Sequence, residues 1–494
     1  MKKTVIIIGG GIAGLSAGYF LQNNLYETIV FEKSNRAGGL SCSWRRGDYL
    51  FDLSMHWLCG VTPAHPYYKI WNELCIFPQE SMMEFDIVKK IEYKTGQYIN
   101  LYADLGKFEQ ELTRAFPPDK ELIHKFIEGI KSFPDFSAME KPMELMSISE
   151  KLMFLSENKK GMEALGYWGK YSVQSFSDMF HDPEAMKTII NGLVCCGNNI
   201  NILYILYSLS TLKHGGGVGL IKGGAEALIS RMADTYTKAG GAIYTGAQIE
   251  KIIMDNKKAV GVELKSGEIR KGDYVVAACD MYELFAGLLP DCDTVFLESI
   301  QKKKTFPSIV QVSLGVNQII EDVSQNIKCE KPFEVDMENE CRNLDIRIVA
   351  GDGMSAPIGK TIIEATVYAS YELWDKTYRE NYGRYLENKK KIADEVITVL
   401  DKRWSIRESI EVIDVSTPAT IKRYTENRNG SILGWTEEID AKQVAKNLPE
   451  NCYIIGQWSS NGMSMPRAGI SGKSVARLIA DSEKKEFCLS AEKC

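Results

Sequence analysis

The chain begins with a short uncharged hydrophobic run that leads directly into glycines. Residues 4–8 are mostly β-branched, which is typical of a parallel-sheet strand buried on both faces. After the glycines, residues 15–21 continue as a predicted helix, and residues 28–31 form a second apolar strand. The hydrophobic pattern therefore predicts a strand, turn, helix and strand over residues 4–40, around which the rest of the chain is organised.

Beyond residue 80 the pattern changes and predicts a hairpin followed by several helices. Two short alternating runs are separated by Thr95-Gly96, a pair typical of a hairpin turn. The predicted hairpin and helices cover residues 84–93 with 97–101, 107–115, 120–133, 139–154 and 184–193. Asp182 is predicted to cap the last of these helices, with Pro183 at its first position.

One later window, residues 188–212, is uncharged over a length that raises the question of a membrane span. Four asparagines interrupt it, and several amides in the middle of a bilayer would be energetically expensive. We therefore predict a buried helix that ends at the glycine-rich loop beginning at Gly215. A surface that dips into a bilayer remains the alternative.

The second half of the chain predicts an antiparallel sheet and a long helix. Residues 308–316 and 361–371 are β-branched, alternating runs, which suit antiparallel strands with one covered face. Residues 381–404 form a clear amphipathic helix pattern.

Length and composition limit the classes of protein that these elements can build. A chain of 494 residues is long enough for two domains, because single cores stop growing near ~250–300 residues. The net charge of −6 does not indicate the excess of basic residues that is typical of nucleic-acid-binding proteins. The five histidines are too scattered to suggest a metal site. Met1 lies three residues before the first strand, which leaves no room for a signal peptide, so a cytoplasmic protein is expected.

Three glycines occupy the first turn with the spacing G-x-G-x-x-G, at Gly9, Gly11 and Gly14. In dinucleotide-binding folds the first permits a tight turn, the second lets a pyrophosphate approach the backbone, and the third lets the helix pack on the strand. Glu32 ends the second strand, where a carboxylate is expected to accept hydrogen bonds from a ribose diol. This unit predicts nucleotide binding, and a glycine-rich turn in an ordinary α/β domain is the alternative.

The residues that follow distinguish between cofactors. Glu32, Arg36, Gly38 and Gly39 form E-x-x-x-R-x-G-G, and F-D-x-x-x-H-W follows, ending at His56-Trp57. This extension resembles the flavin superfamily that contains amine oxidases, phytoene desaturases, carotenoid isomerases and retinol saturases. The resemblance implies FAD. The paired glycines would let a second loop close over the pyrophosphate, and Arg36 can donate two hydrogen bonds to a phosphate or carboxylate.

Two later segments resemble the other FAD-contacting parts of the phytoene desaturase group. In that group the strand corresponding to residues 248–253 passes the adenine, which places Ile249 at the base. Residues 452–480 resemble the third segment, in which a strand ends at Gly456 and a loop leads to a helix predicted to start near Ala468. The resemblance places Gly469 and Ile470 at this helix start, facing the flavin, where the positive helix end stabilises the anionic reduced ring.

A further stretch, residues 417–435, reads T-P-x-T-x-x-R-Y with later glycines and a tryptophan, as in the desaturase, isomerase and saturase families. The F-D-x-x-x-H-W motif also most resembles carotenoid isomerases and retinol saturases. By this analogy His56 lies near the flavin as a proton donor or positioning group. A core histidine with satisfied ring nitrogens is the alternative.

The predicted fold class is α/β, with a discontinuous Rossmann-like FAD-binding domain and an α+β substrate domain built on an antiparallel sheet. The FAD-binding domain is assigned residues 1–80, 205–280 and 445–494. The substrate domain is assigned residues 81–204, which carry the helical insert, and residues 281–444.

Three classes of function compete. They are an FAD-dependent oxidoreductase acting on carbon–carbon bonds of a lipophilic polyene, a flavin amine oxidase, and a non-catalytic nucleotide-binding protein. Amine oxidases place a lysine on the strand corresponding to residues 308–316, which contain none, and a tyrosine where this chain has Ser464. Both differences favour carbon–carbon chemistry, in the direction of desaturation, saturation or isomerisation.

The expected partner is a lipophilic small molecule in an apolar chamber over the flavin. Insert residues 107–212 and the strands at 308–316 and 361–371 are expected to enclose this chamber, because ligand sites favour domain interfaces. The interpretation allows for peripheral contact with a membrane and for a second redox partner of the flavin.

Overall fold

The structure is a computed structural model that describes residues 2–53, 57–76, 82–134, 146–193, 200–459 and 464–489. Its α-helices are α1 (Ile12–Asn23), α2 (Tyr68–Glu73), α3 (Leu105–Ala115), α4 (Lys120–Ser132), α5 (Ile148–Glu157), α6 (Lys159–Trp168), α7 (Val173–Ser177), α8 (Pro183–Leu193), α9 (Ile202–Ser210), α10 (Gly224–Lys238), α11 (Met281–Glu283), α12 (Thr294–Gln301), α13 (Tyr371–Glu380), α14 (Tyr382–Trp404), α15 (Pro418–Thr425), α16 (Ala441–Asn447) and α17 (Met465–Ser482). Short 3₁₀ segments are Pro117–Asp119, Thr211–His214, Arg407–Ser409 and Arg428–Gly430, and Leu284–Leu288 is a π-helical turn.

A five-stranded parallel sheet is built around the predicted first strand. Its strands are β1 (Thr4–Ile8), β2 (Glu27–Phe31), β10 (Ala242–Tyr244), β14 (Tyr274–Ala277) and β20 (Cys452–Ile454). They lie in the order β10-β2-β1-β14-β20, and every neighbouring pair is parallel. Val5, Ile6 and Ile7 are fully buried, as the uncharged run predicted. Helices α10 and α17 pack against α1, so this is the Rossmann-like layer that the sequence predicted.

A seven-stranded mixed sheet forms the second large layer. Its strands are β7 (Ile87–Lys94), β8 (Gln97–Tyr102), β15 (Ser308–Val316), β16 (Gln325–Glu334), β17 (Glu340–Ala350), β18 (Thr361–Ala369) and β19 (Ile410–Ser416). They lie in the order β19-β15-β18-β17-β16-β7-β8, and all neighbours are antiparallel except the β16–β7 pair. The predicted antiparallel pairing is confirmed, although the second strand ends at Ala369 and Tyr371 already begins α13.

Three small sheets complete the described fold. They are the antiparallel meander β11 (Ile249–Asp255), β12 (Lys258–Leu264) and β13 (Ile269–Lys271), the hairpin β3 (Ser43–Arg46) with β4 (Tyr49–Asp52), and the sheet of β5 (Leu58–Cys59), β9 (Val218–Ile221) and β6 (Met82–Glu84).

The expectation of one exposed face on the seven-stranded sheet was wrong. Every residue of β15 is buried. Val310, Val312 and Leu314 belong to the same apolar core as buried residues of α14. Gln311 and Ser313, which alternate with them, point to the other face and are buried as well. The alternation of the sequence therefore separates an apolar buried face from a polar buried face, because a second layer covers the polar side.

A buried triad of charges occupies that polar face. Arg347 donates to Asp52 Oδ2 over 3.1 Å and to Glu364 Oε2, and the backbone N–H of Asp52 donates to Glu364 Oε1 over 2.7 Å. Gln311 donates to the backbone oxygen of Asp52 over 2.8 Å. Asp52 ends β4, whereas Arg347, Glu364 and Gln311 lie in the seven-stranded sheet. These contacts therefore join the small hairpin to this sheet.

The predicted single helix over residues 188–212 was also wrong. Helix α8 ends at Leu193, and α9 begins after Asn201, whose side chain accepts a hydrogen bond from Leu203 N over 2.9 Å. An asparagine that caps its own helix start favours a new helix over a continuation. Residues 194–199, and residues 139–145 of the predicted methionine-rich helix, lie outside the described part of the chain. The Asp182 cap of α8 is confirmed at 3.1 Å from Ala185 N.

The remaining predicted elements are close to the observed ones. The hairpin is β7 with β8, joined at Thr95-Gly96, and the amphipathic helix is α14. Within the described ranges, no helix is both long enough and apolar enough to cross a membrane.

We predict that Glu364→Gln will flatten the pH dependence of stability. Burial raises the pKa of Glu364 to about 7, against about 4.3 for an unfolded chain. Between these values the folded protein holds a proton that the unfolded chain has released, so wild-type stability should fall as pH rises from about 5 to about 7.5. Midpoint urea concentrations across this range measure the slope. Glu387→Gln, on the exposed side of α14, is the control, and an unchanged slope in Glu364→Gln would contradict the assignment.

Candidate cofactor site and active site

A cavity of about 610 Å³ follows the carboxyl ends of the parallel strands. It is lined by Gly9 after β1, Glu32 after β2, Ala278 after β14 and Gly456 after β20. Ligands in open parallel sheets bind at this edge, because the backbone there turns away and leaves a crevice. The cavity size lies in the range of small-molecule and cofactor pockets.

Glu32 is fixed at the cavity wall by two backbone donors. Its Oε2 accepts a hydrogen bond from Gly10 N and its Oε1 accepts one from Ser34 N, both over 2.8 Å. The residue is buried, and each carboxylate oxygen keeps a further lone pair for a ligand. The adjacent strands β1 and β2 bring the glycine turn and this carboxylate together, so the arrangement suits a nucleotide ribose.

The glycines form a cradle that side chains would fill. A Cβ on Gly14 would lie 1.9 Å from the backbone oxygen of Gly9, so α1 can approach β1 only with glycine here. Gly38 N donates to Gly10 O over 2.9 Å, which joins the second glycine loop to the first. Gly9, Gly11, Gly38 and Gly39 all line the cavity. These observations fit a bound dinucleotide.

The segment after α15 covers the Glu32 side of the cavity. Tyr424 and Glu426 line it together with Ile249. The Lys33 ammonium contacts Glu426 Oε1 at 2.5 Å and donates to the backbone oxygen of Arg423 over 3.0 Å. The stretch that resembles the desaturase and isomerase families thus closes the nucleotide end of the cavity.

Asp280 lines the same cavity, but its carboxylate oxygens accept hydrogen bonds from backbone N–H groups. It is buried and accepts hydrogen bonds from Tyr282 N, Glu283 N and Arg428 N over 2.8–3.2 Å. Burial raises the pKa of its carboxyl group to about 6, although the backbone donors lower this pKa. The carboxylate therefore holds α11 and the 428 turn in place, and we assign it no contact with the cofactor.

The helix at the other end of the cavity begins earlier than predicted. Helix α17 starts at Met465, after Ser464, rather than near Ala468. Pro466 lies in the first turn, where a missing N–H costs nothing. Ser464, Met465, Pro466 and Ala468 line the cavity, so the positive end of this helix faces it.

Several predicted site residues lie away from the cavity lining. Gly469 and Ile470 are buried in α17 beyond the residues that line it, and Gly469 O accepts a hydrogen bond from Ser16 Oγ of α1 over 2.6 Å. Arg36 is exposed and does not line the cavity. His56 lies outside the described residues. The cofactor-binding and catalytic roles assigned to these four residues stay predictions.

Helix α9, part of the insert expected to enclose the substrate chamber, supplies wall residues that the sequence interpretation did not single out. Tyr204, Tyr207, Ser208 and Thr211 line the cavity. Their spacing of three, four and seven residues places them on one side of the helical segment. Ile202, Ile205, Leu206 and Leu209 on the other side are buried in the core. The signal was present in the sequence as the polar line Y-x-x-Y-S-x-x-T within an otherwise apolar run.

A buried lysine lies behind the cavity wall. Lys89 of β7 forms an ion pair with Asp345 of β17 at 2.7 Å, and its ammonium lies 6.0 Å from the ring centroid of Trp57. Trp57 lines the cavity, whereas Lys89 does not. Strand β15 carries no lysine of the kind found in amine oxidases. Lys89 lies on a different strand, and its charge is neutralised by Asp345.

The predicted apolar chamber over the flavin stays a prediction, because the cavity described here is the one that fits the cofactor. Helix α9 of the insert lines this cavity, whereas among the described residues none of β15 or β18 does. The face of these strands that carries Gln311, Ser313 and Glu364 contacts the β3–β4 hairpin. The α9 side of the cavity is therefore aromatic and hydroxyl-bearing.

Comparisons with known proteins agree with this geometry. The profile of the family described as flavin containing amine oxidoreductase matches residues 12–480, so the chain belongs to that family. Chloroplastic prolycopene isomerase from Daucus carota is 25% identical over 507 residues, which cover 96% of this chain and 79% of that protein. The 4,4'-diapophytoene desaturase (4,4'-diapolycopene-forming) from Methylomonas sp is 22% identical over 523 residues, which cover 98% of this chain and 96% of that protein.

A solved structure supports the same fold. Putrescine oxidase bound to putrescine superposes with a TM-score of 0.61 at 13% identity, over 97% of this chain and 99% of that chain. At this identity the likeness concerns the fold alone. Its family membership makes the protein a flavin-dependent oxidoreductase with FAD as its cofactor, and the glycine cradle, Glu32 and the α17 start are the residues that fit FAD.

We predict that Glu32→Ala will weaken FAD binding by ~1.5–3 kcal/mol, the range for hydrogen bonds to a charged group, or about 10- to 150-fold. Titration of the apoprotein with FAD measures the dissociation constant. Glu27→Ala changes an exposed carboxylate on the same strand and serves as the control. Undiminished affinity in Glu32→Ala would remove the ribose assignment.

Proposed function

We propose that the protein is an FAD-dependent oxidoreductase that acts on carbon–carbon bonds of a lipophilic, polyene-like substrate by desaturation, saturation or isomerisation. The names of its relatives, an isomerase of prolycopene and a desaturase of diapophytoene, support this substrate class. Alternatives are a flavin amine oxidase and a non-catalytic nucleotide-binding protein.

The observation that carries the proposal is the composition of the cavity wall around the start of α17. Trp57, Tyr204, Tyr207 and Met465 line it, and broad aromatic and thioether surfaces suit an extended apolar ligand. An amine oxidase would instead place a lysine on the strand that corresponds to β15 and a tyrosine at the position of Ser464. Here the buried Lys89 is held by Asp345 at 2.7 Å, and Ser464 stands where amine oxidases supply a tyrosine.

The cofactor supplies hydride transfer, and the chain supplies binding, orientation and electrostatics. Glu32 and the glycine cradle hold the nucleotide half. The N-terminus of α17 lines the cavity with the positive end of its helix dipole, which favours negative charge on the ring that it faces. A second redox partner completes the proposal, since net desaturation or saturation requires an electron acceptor or donor.

We further propose peripheral contact with a membrane through α5. Ile148, Leu152 and Leu155 are 79%, 62% and 37% exposed. Their spacing of four and three residues places them on one helix face, opposite the buried Phe154. Helix α5 packs on α6, which packs on α9 at the cavity wall. A lipid surface at α5 would therefore lie next to the helical layer that lines the active site, from which an apolar substrate could be delivered.

We predict that polyenes will react with the flavin and that amines will not. In stopped-flow mixing, carotenoid-type polyenes should change the rate of flavin reduction or reoxidation, followed by the absorbance of the bound flavin. Primary amines and polyamines should leave it unchanged, because no lysine lies on β15 and the cavity wall is apolar and aromatic. Rapid reduction by amines without any polyene effect would replace this proposal by the amine-oxidase alternative.

We predict that replacing Ile148 and Leu152 together by serine will weaken binding to phosphatidylcholine vesicles about tenfold or more, because each such side chain contributes about 1.5 kcal/mol or more when buried. Vesicle sedimentation measures the bound fraction. Ile358→Ser removes an apolar side chain that is 86% exposed elsewhere and should bind as wild type does. Equal binding of the double variant would contradict contact through α5.

A further inference from the structure

We infer that Tyr207 is the proton donor of the carbon–carbon reaction, an assignment that rests on the proposed function and names a residue for it. The inference begins with position. Tyr207 belongs to α9, lines the cavity together with Ser464 and Met465 at the start of α17, and is partly buried in a wall that otherwise consists largely of apolar and aromatic surface. A phenol there faces the same space as the end of α17, where the reactive ring of the cofactor is expected.

The surroundings of Tyr207 suit a phenol that gives up its proton and then takes it back. The groups that face it are Tyr67, Cys59 of β5, and Ser464 with Arg467 of α17. The Ser464 hydroxyl lies close by but makes no hydrogen bond of good geometry. Burial raises the pKa of Tyr207, whereas the Arg467 guanidinium and the neighbouring hydroxyls lower it. The phenol is therefore neutral near pH 7, and the Arg467 guanidinium can stabilise the phenolate that forms when the proton is transferred.

Three other side chains that line or adjoin this cavity have contacts that tie them to the fold. The Asp280 carboxylate accepts three backbone hydrogen bonds. His65 Nδ1 accepts from Tyr67 N over 3.1 Å, and its Nε2 lies 2.9 Å from Thr211 O, so both ring nitrogens are used in the fold. Tyr204 lines the same wall one turn earlier, with its ring packed on Phe306 at 4.9 Å.

The proposed step balances in the direction of saturation. Tyr207 Oη donates its proton to one carbon of a C=C bond while the adjacent carbon accepts the hydride that the reduced flavin supplies. The Tyr207 O–H bond, the flavin N–H bond that carries the hydride and the carbon π bond would break, and two C–H bonds would form. The flavin would be oxidised by two electrons, which the electron donor of the proposed function supplies again. The phenolate would be stabilised by Arg467, and water would return the proton when the product leaves.

The decisive variant is Tyr207→Phe in the FAD-loaded protein. General acid catalysis contributes about 10²–10⁴-fold, so the rate of the step that consumes the polyene should fall by about 10²-fold or more. FAD content, and polyene binding followed by the shift of its absorption band, should both remain as in wild type. Tyr171→Phe, a phenol of the same insert that does not line the cavity, is the matched control.

Several outcomes separate the inference from the proposed function. If wild type reacts with polyenes and Tyr207→Phe keeps the rate to within about twofold, the range of neutral substitutions, Tyr207 is not the donor and the function stands. If wild type reacts with no polyene, the proposed function fails and this inference fails with it. Should Tyr207→Phe fold poorly, 3-fluorotyrosine at position 207 tests the same point. Its more acidic phenol should move the alkaline limb of the pH–rate profile to lower pH, and an unmoved limb would overturn the inference.

Discussion

One buried carboxylate, that of Asp52, joins the main parts of this molecule. It accepts hydrogen bonds from Ser43 Oγ within its own hairpin, from Ala225 N at the start of α10, and from Arg347 in the seven-stranded sheet. Arg347 and Asp52 are almost entirely buried, so removing Arg347 would leave the Asp52 carboxylate without a positive partner, which is strongly destabilising in protein interiors. The position of the β3–β4 hairpin between α10 and the seven-stranded sheet therefore depends on these buried contacts.

The active site follows from this constraint. Trp57, five residues after Asp52, lines the cavity in front of the Lys89–Asp345 ion pair. On the polar face of the seven-stranded sheet, Gln311 and Glu364 hold the end of the β3–β4 hairpin. Helix α9 lines the cavity, so phenols and hydroxyls from the helical insert contribute to its chemistry.

The cofactor half of the site could be predicted closely because its chemistry depends on local sequence. Gly9, Gly11 and Glu32 lie within one strand–turn–helix–strand unit, and the backbone geometry of that unit brings them together whatever the rest of the chain does. The start of α17 was misplaced by three residues, since a proline in the first helical turn is compatible with helix and does not delay it. The division of residues 188–212 into two helices was missed because the apolar pattern continues across the break. The signal for the break was one residue, the helix cap Asn201.

By itself, the sequence determined the Rossmann-like unit, the FAD fingerprint and the alternation of β15, since each is a pattern of neighbours along the chain. That neither face of β15 is solvated was decided only by tertiary structure, because burial depends on what packs against a strand and not on the strand alone. The same holds for Tyr204 and Tyr207. Their helical spacing is written in the sequence, but their place opposite Ser464 and Met465 results from packing elements more than 200 residues apart. Long-range packing of this kind brings α9 and the start of α17 to one cavity, and no local pattern encodes it.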